Sequence, residues 1–392
     1  MNTSVAIHRY PPSVARRLRI CFVTETYPPE INGVAMTALQ LVSGLLTRGH
    51  EVQLIRPSQG GNDIRRREGR LEIVPQPSMS VPFYREVKLG LPVSHVLLRL
   101  WRQKAPDVVH ICTEGLLGGA ALRSAQRLGL PVSSGFHTNF HRYSDYYGLG
   151  LLATPIVNYL WHFHNRITCT LVPTQELAKH VRESGFRNIR VLSRGIDTQL
   201  FSPQRRSQTL RQHWQVAPQE PAVLYVGRLA AEKNLPLALA AFKAIREVFP
   251  QARLVLVGDG PLAAKLKSQE PEAIFCGMRS GKELAAHYAS ADLFLFPSLT
   301  ETFGNVMLEA MTSGLAAVAF DYAAAHQFIV PDSNGLLVPF GDIEAFIKAA
   351  RYLACRPAQR QRLGQTARRT METVGWEQVC EHLETIFLEL GR

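Results

Sequence analysis

Short apolar runs alternate with amphipathic stretches along most of the chain. The run at residues 18–23 ends in a turn rich in proline and glycine, and apolar positions at helical spacing follow from residue 34 to residue 46. A second apolar run comes directly afterwards, at residues 51–55. This order predicts a strand, a helix and a parallel strand, which together form a βαβ unit. The pattern returns in apolar runs at residues 107–111, 131–136 and 168–173.

Residues 195–221 interrupt the pattern, because they contain Pro203 and Pro218 within a polar stretch that has no clear period. We therefore predict a linker in this region. The alternation then restarts, and a helical tail follows from about residue 343. The apolar runs of this second series lie at residues 222–227, 253–258, 293–297, 316–320 and 335–338.

Strands that alternate with helices predict the α/β class, with a mostly parallel sheet covered by helices on both faces. Two such series in 392 residues indicate two Rossmann-like domains that face a central cleft. We predict an N-terminal domain over residues 1–195 and a C-terminal domain over residues 196–375. The last helix, within residues 376–392, is predicted to pack back toward the N-terminal domain.

The composition is that of an ordinary globular protein, with 46% hydrophobic and 19% charged residues. Six scattered cysteines lack metal-ligand spacing, so buried free thiols in a reducing compartment are expected. No apolar segment precedes the arginines at 16, 17 and 19, which argues against a signal peptide. No run of about twenty apolar residues predicts a membrane-spanning helix. We therefore expect a cytoplasmic protein.

The net charge of +12 is unevenly distributed. Residues 1–195 hold 24 Lys and Arg against 12 Asp and Glu, whereas residues 196–392 hold 20 of each. An excess confined to one half predicts an anionic partner for that half, either nucleic acid or an anionic membrane. Residues 82–104 and 140–166 mix basic and apolar side chains that could rest on a bilayer interface. The alternative is a set of helices packed on their own domain with solvated arginines.

Two glutamates eight positions apart flank a predicted helix start. Glu301 falls in the loop before the helix and Glu309 about a turn and a half into it, with Phe303 and Gly304 between them. Unpaired N–H groups at a helix start favour anions and sugar oxygens. The two carboxylates could therefore accept hydrogen bonds from the hydroxyls of a polyol. The alternative is a capped surface helix with solvated acids.

A pair of cations follows the strand predicted at residues 222–227. Arg228 and Lys233 lie five positions apart in one loop at the carboxyl end of that strand. They could converge on one diphosphate and stabilise it as a leaving group without a metal. Two solvated loop cations are the alternative.

Three further positions are candidates for contacts with a ligand. The segment 258–263 fits the dinucleotide fingerprint, but it does not follow the first strand and lacks the supporting acidic residue, so we predict only a close-approach turn near a nucleotide. Gly33 in the first βα turn could let the backbone approach a ligand, or could form a plain tight turn. His137 directly follows a predicted strand, where it could contact a ligand or could be a structural residue that stabilises the fold. No metal-ligand constellation is apparent.

Taken together, these segments resemble glycosyltransferase family 4, whose members are retaining enzymes with the two-domain GT-B fold. The similarity is carried by the Glu-x7-Glu element at 301 and 309, the Gly-Arg-x4-Lys-Asn element at 227–234, and the segments 257–261 and 194–203. Residues 136–140 and 321–325 are similar to a branch of GDP-mannose-dependent α-mannosyltransferases. That branch is close to enzymes that glycosylate diacylglycerol lipids.

The resemblance implies a role for each candidate residue. Arg228 and Lys233 would hold the donor's diphosphate, and Glu301 would contact the transferred sugar together with the backbone at Phe303 and Gly304. Glu309 would bind the nucleotide ribose. The implied catalytic set is His137 on the acceptor side, Arg228, Lys233 and Glu301. The implied donor-binding set is Gly33, Gly227, Arg228, Lys233, Gly258, Phe303, Gly304, Asn305 and Glu309.

The implied reaction is retaining transfer of a mannose- or glucose-type hexose from a nucleotide diphosphate sugar, with no metal and no cofactor. The implied acceptor is a lipid or lipid-linked molecule at the inner face of the cytoplasmic membrane, with the basic domain on the anionic surface and no nucleic acid partner. Transfer to a soluble or polysaccharide acceptor, or epimerisation of a sugar nucleotide by the same fold, are the alternatives. The chain differs from many members in having Asn32 before Gly33 and alanines at 323–325.

Overall fold

The computed structural model describes residues 16–30, 32–61, 63–81, 84–136, 150–217 and 219–391. These residues form two compact units. One unit contains the described residues up to 136 together with residues 151–194 and 376–391, and the other contains residues 195–375. His137 lies outside the described residues.

The first unit is built on a mostly parallel sheet. Its described strands are β1 (Arg19–Val23), β2 (Glu51–Pro57), β3 (Arg66–Glu68), β4 (Leu71–Gln76), β5 (Ser78–Val81), β6 (Tyr84–Gly90), β7 (Val108–Ile111), β8 (Val132–Gly135), β9 (Cys169–Val172) and β10 (Ile189–Val191). Eight of them form one sheet in the order β10-β9-β8-β7-β1-β2-β4-β3, and β5 pairs with β6 in a separate antiparallel ribbon. Within the large sheet only β3 runs antiparallel to its neighbour.

Helices cover both faces of this sheet. They are α1 (Gly33–Thr47), α2 (Ser94–Gln103), α3 (Leu116–Arg127), α4 (Gly150–Asn165) and α5 (Gln175–Glu183). Alternate residues of β1 point to opposite faces, as the pleat of a strand requires. Ile20 and Phe22 join the core beneath α1, whereas Cys21 and Val23 join the core beneath α2 and α3. The predicted βαβ order is thereby confirmed.

The structure corrects one part of the predicted membrane surface. Leu97, Leu100 and Trp101 of α2 are buried in the core of the first unit, and the Trp101 indole donates a hydrogen bond to Gln53 Oε1 at 3.2 Å. These apolar side chains therefore pack on their own domain. The basic residues of the same helix, Arg99 and Arg102 among them, remain exposed.

The second unit repeats the architecture with a fully parallel sheet. Its strands are β11 (Ala222–Val226), β12 (Arg253–Val257), β13 (Ile274–Gly277), β14 (Leu293–Phe296), β15 (Ala316–Phe320) and β16 (Leu336–Val338), and they lie in the order β13-β12-β11-β14-β15-β16. Its helices are α6 (Gln208–His213), α7 (Leu235–Arg246), α8 (Ala263–Gln269), α9 (Gly281–Ser290), α10 (Asn305–Thr312), α11 (Ala323–Phe328), α12 (Ile343–Ala354) and α13 (Pro357–Met371). Every strand pair is parallel.

The predicted linker is wrong. The described residues between 195 and 221 belong to the second unit and contain a 3₁₀ turn as well as α6. Phe201 and Trp214 are buried in the core of that unit, and Arg211 forms an ion pair with Asp292 at 2.8 Å. The segment shows no hydrophobic period because it does not pack on the domain through one continuous apolar face. Widely spaced aromatic residues attach it instead.

The last helix, α14 (Trp376–Leu390), belongs to the first unit and packs on α1. At the contact, a Cβ placed on Gly44 would lie 2.2 Å from the Cys380 sulfur, so the two helices approach closely because position 44 has no side chain. Buried Glu384 pairs with Arg48 and lies 2.9 Å from Nε2 of His50. Of the helices in the described ranges, none is both long and apolar enough to cross a membrane.

Candidate active site

The loop after β11 is held in place by a hydrogen bond from a tyrosine of the same strand. Gly227 has a φ of +152°, which is unfavourable for a residue with a Cβ. The hydroxyl of buried Tyr225 donates to the Arg228 carbonyl at 3.0 Å. The Arg228 side chain is exposed. The loop therefore has a fixed backbone and presents a guanidinium to solvent at the carboxyl end of the sheet.

Gly258 and Gly260 explain the apparent dinucleotide fingerprint in structural terms. A Cβ on Gly258 would lie 2.0 Å from the Gly227 carbonyl oxygen, and a Cβ on Gly260 would lie 2.6 Å from the Leu229 carbonyl oxygen. Both have positive φ values, +134° and +159°. The close approach that these glycines permit is therefore between two loops of the second unit.

Lys233 and Glu301 form an ion pair across two strand ends. The Lys233 Nζ lies 2.6 Å from Glu301 Oε1 and 3.4 Å from the Thr300 carbonyl oxygen. Both side chains are mostly buried, at 15% and 13% exposure. The structure thus brings together one of the predicted cations and one of the predicted carboxylates, which are 68 residues apart in the chain.

The segment after Glu301 opens directly into the start of α10. Gly304 is the N-cap residue with a φ of +98°, and no side chain caps the helix. A Cβ on Gly304 would lie 3.0 Å from the ring of Phe296, so glycine also relieves crowding there. Phe303 is buried, and its carbonyl accepts a hydrogen bond from the Ala324 N–H at 2.9 Å. Uncapped first-turn N–H groups are donors suited to anionic or sugar oxygens, and Asn305 is the first residue of that turn.

Glu309 lies in the second turn of α10, as the sequence predicts. The hydroxyl of buried Tyr288 donates to Glu309 Oε2 at 2.8 Å. Burial raises the pKa of Glu309 to about 7, against the smaller lowering effect of that hydrogen bond. Near neutral pH the carboxyl group is therefore divided between its ionised and its protonated form.

Three tyrosines support the candidate residues, and sequence reasoning missed all of them. Tyr225 holds the backbone at 228, Tyr288 holds Glu309, and the Tyr322 hydroxyl donates to the Glu301 carbonyl at 2.8 Å. A tyrosine inside an apolar strand or on the buried face of a helix was a usable signal, because its hydroxyl needs a partner when it is buried. The pattern alone could not say which partner each would find.

Tyr322 is followed by three buried alanines, Ala323, Ala324 and Ala325. Ala323 has a φ of +54°, in the left-handed region where glycine is the usual residue. The next residue, Ala324, makes the backbone hydrogen bond to Phe303. The turn is therefore formed here by an alanine in a strained conformation.

The remaining predicted positions are not part of this cluster. Gly33 is the first residue of α1 in the first unit, where the Asn32 side chain accepts hydrogen bonds from Val34 N and Ala35 N. His137 is outside the described residues. Within the part of the chain that the structure describes, no group of three or more His, Cys, Asp or Glu side chains could hold a metal ion.

Comparison with solved structures identifies the class of protein. The chain superposes on sucrose-phosphate synthase from Thermosynechococcus elongatus with a TM-score of 0.79 and 19% sequence identity, covering 95% of this chain and 99% of that one. The fold is the GT-B fold of glycosyltransferases, with two Rossmann-like domains, as predicted.

Sequence comparison gives the family. The model of Glycosyltransferase Family 4 matches residues 31–200, and that of Glycosyl transferases group 1 matches residues 206–370. A GDP-mannose-dependent alpha-mannosyltransferase of Mycobacterium tuberculosis is 34% identical over 371 residues, covering 93% of this chain and 95% of the relative. An alpha-monoglucosyldiacylglycerol synthase of Streptococcus pneumoniae is 28% identical, covering 77% and 71%. The chain belongs to glycosyltransferase family 4 and is a hexosyltransferase, which confirms the predicted resemblance.

Proposed function

We propose that the protein transfers mannose from GDP-mannose, with retention of configuration, to a lipid or lipid-linked acceptor at the cytoplasmic face of the membrane. The observation that carries the proposal is the mostly buried Lys233–Glu301 ion pair beside the uncapped start of α10. This arrangement offers a cation for phosphate, a carboxylate for sugar hydroxyls and N–H donors for further oxygens. The 34% identical relative supports GDP-mannose as the donor.

Each residue of the candidate site has a role in this proposal. Lys233 and Arg228 hold the diphosphate, and Gly227 and Gly258 shape the loop that carries Arg228. Glu301 and the backbone at 303–305 hold the mannose, and Glu309 holds the ribose. In the N-terminal domain, the resemblance would give Gly33 a role toward the phosphates and would give His137, which is outside the described residues, a role toward the sugar on the acceptor side.

The chemical step breaks the bond between the mannose C1 and the phosphate oxygen and forms a bond from C1 to the acceptor oxygen on the same face. The acceptor hydroxyl gives its proton to the leaving phosphate oxygen, so GDP leaves as the conjugate acid and no metal or protein nucleophile is needed. Negative charge grows on the diphosphate as the bond loosens. Arg228 and Lys233 stabilise that charge more strongly in the transition state than in the ground state.

The acceptor assignment has two supports. The relative from Streptococcus pneumoniae is named as a synthase of a glucosylated diacylglycerol. The excess of positive charge lies in residues 1–195, and a basic surface is attracted to anionic lipids. We place the enzyme at the inner face of the membrane on this basis.

The first test removes the cations. We expect Arg228→Ala and Lys233→Ala each to lower kcat about 100-fold or more with GDP-mannose, because a preorganised cation is lost where charge develops. Turnover is measured as GDP release and as mannosylated lipid. Lys243→Ala, on an exposed side chain of α7 in the same unit, is the matched control and should retain full activity. Near-normal turnover in both Arg228→Ala and Lys233→Ala would refute the mechanism.

The second test identifies the donor. Calorimetric titration with GDP-mannose, UDP-glucose and ADP-glucose should show the tightest binding for GDP-mannose, and mass spectrometry should detect a hexosylated lipid. A new sugar nucleotide formed from the donor alone, without an acceptor, would instead support an epimerase. Transfer to a polysaccharide but to no lipid would refute the acceptor assignment while leaving the donor assignment intact.

A further inference from the structure

The first unit contains a buried polar cluster that the donor site does not use. His164, near the end of α4, is fully buried. Its Nδ1 lies 3.1 Å from Ser134 Oγ in β8 and 3.2 Å from Thr170 Oγ1 in β9. Its Nε2 lies 3.2 Å from Glu114 Oε1. The imidazole therefore connects two hydroxyls of the sheet to one carboxylate.

The glutamate of this cluster lies where α/β sheets bind ligands. Glu114 stands between the end of β7 and the start of α3, at the carboxyl end of its strand. The Tyr159 hydroxyl donates to the Glu114 carbonyl at 2.6 Å. Both the backbone and the carboxylate of Glu114 are thus held, the first by Tyr159 and the second by His164.

One tautomer of His164 satisfies the whole cluster. The Ser134 hydroxyl can donate to the single lone pair of Nδ1 while the Thr170 hydroxyl donates to Ser134 Oγ, so the proton lies on Nε2 and is donated to Glu114 Oε1. Phe136 and Phe163 have ring centroids about 5 Å from the imidazole, at 5.1 and 5.2 Å, and restrict its rotation. A carboxylate has acceptor sites beyond the one that His164 occupies. Glu114 is therefore oriented while retaining capacity for another donor.

We infer that Glu114 binds the acceptor, its carboxylate accepting a hydrogen bond from a hydroxyl of the glycerolipid headgroup, and that His164 is its positioning residue. The inference rests on the proposed function, which assigns the acceptor to the N-terminal domain. The ligand class follows from the chemistry, because an oriented acceptor-only group at a strand end suits a neutral hydroxyl better than a phosphate.

The direct test is Glu114→Gln, which keeps the size and removes the charge. The acceptor is glucosyl-dioleoylglycerol in phosphatidylcholine vesicles, because its sugar headgroup carries hydroxyls besides the one that reacts, and the donor is GDP-mannose. We expect kcat/KM for the lipid to fall about tenfold or more, because hydrogen bonds to charged groups are the stronger ones. The calorimetric Kd for GDP-mannose should stay within about twofold. A lower kcat/KM for the lipid with an unchanged Kd for GDP-mannose distinguishes a defect in acceptor binding from a general loss of folding.

A second pair of variants tests the positioning role. His164→Phe fits aromatic surroundings, and the Ser134 and Thr170 hydroxyls, 3.3 Å apart, can then bond to each other. We expect it to raise the acceptor KM severalfold with an unchanged donor Kd, and His164→Gln to restore part of the loss through its amide N–H. The matched control is His110→Phe, since His110 is equally buried, lies beside Phe22 and bonds Ser133 at 2.8 Å, but does not hold Glu114.

The outcomes separate the two proposals. If Glu114→Gln and His164→Phe lower the melting temperature but leave the acceptor KM unchanged, the pair is only structural and the inference is overturned. If His110→Phe raises the acceptor KM as much as His164→Phe does, the positioning role is overturned. If the wild type binds no GDP-mannose, or binds it without glycosylating the lipid, the donor or acceptor part of the proposed function fails, and the Glu114 assignment fails with it.

Discussion

Glu309 shows how burial brings the pKa of an ordinary carboxyl group close to neutral pH. Its side chain sits on α10 against buried Tyr288, and loss of hydration there raises the pKa to about 7. Glu301 has a nearby cation instead, at 2.6 Å from Lys233. The two glutamates of one sequence element therefore occupy different electrostatic environments, although their spacing gives no sign of this.

A pH dependence of donor binding follows from this difference. In the proposed donor site the ionised form of Glu309 accepts hydrogen bonds from ribose hydroxyls, so GDP-mannose affinity should be full above about pH 8 and weaken as pH falls through 7. If only the ionised form binds, the Kd rises about tenfold per pH unit below the pKa of about 7. Calorimetric titration between pH 5.5 and 8.5 measures this dependence of the Kd on pH.

Two variants check that Glu309 is responsible. Glu309→Gln should bind more weakly and lose this pH dependence. Tyr288→Phe removes the hydrogen bond that lowers the Glu309 pKa, so its affinity should begin to fall at a higher pH than that of the wild type. An unchanged profile in Glu309→Gln would assign the titration to another group.

At the scale of elements, the contact between α1 and α14 depends on one glycine. Gly44 faces Cys380 so closely that a methyl group would overlap the sulfur. Glu384 of α14 adds a buried acceptor for Arg48 and His50. The C-terminal helix is thus fixed by shape and by charge on the helix that begins at Gly33.

We predict that Gly44→Ala destabilises the protein by about 1–3 kcal/mol, the usual cost of overpacking. The alanine's better helix propensity recovers part of this, about 1 kcal/mol. Cys380→Ala should relieve the overlap, so the double variant should be more stable than the sum of the single changes implies. Urea unfolding of all four proteins measures the coupling. Strict additivity would mean that the helices separate to accept the methyl group.

At the scale of the whole molecule, the charge asymmetry predicts where the enzyme meets a membrane. Since Leu97, Leu100 and Trp101 of α2 are buried, attraction of the exposed arginines to anionic lipid is the main contribution that this helix can make to membrane binding. Such attraction is screened by salt, with a Debye length of about 10 Å at 0.1 M.

We expect the protein to sediment with vesicles that contain phosphatidylglycerol, and to do so less at 0.5 M salt and less with pure phosphatidylcholine. Arg99→Glu with Arg102→Glu, on exposed positions of α2, should weaken binding severalfold. Lys265→Glu with Lys282→Glu makes the same charge change at exposed positions of the second unit and should have a smaller effect. Equal sedimentation with neutral and anionic vesicles would contradict the prediction.

The elements that the sequence predicted are those with strong local patterns. The apolar runs became buried parallel strands, and the helix start between Glu301 and Glu309 is where the spacing placed it. Strands β3 to β6, β10 and β13 were not predicted. In β3, for example, Arg66–Glu68 are wholly exposed and carry no apolar period. The region 195–221 was misassigned for a related reason, since its attachment depends on isolated residues such as Trp214.

The sequence by itself determined the α/β class, the two repeated series and the glutamates and cations of the candidate donor site, because periodicity and short motifs are local properties of the chain. The tertiary structure decided what surrounds those groups. It joined Lys233 to Glu301, supplied Tyr288 to Glu309 and buried His164 behind Glu114. Such pairings link residues up to 68 positions apart. The burial of each side chain and the partner that it meets set its charge and its orientation, and neither can be read from a local sequence pattern.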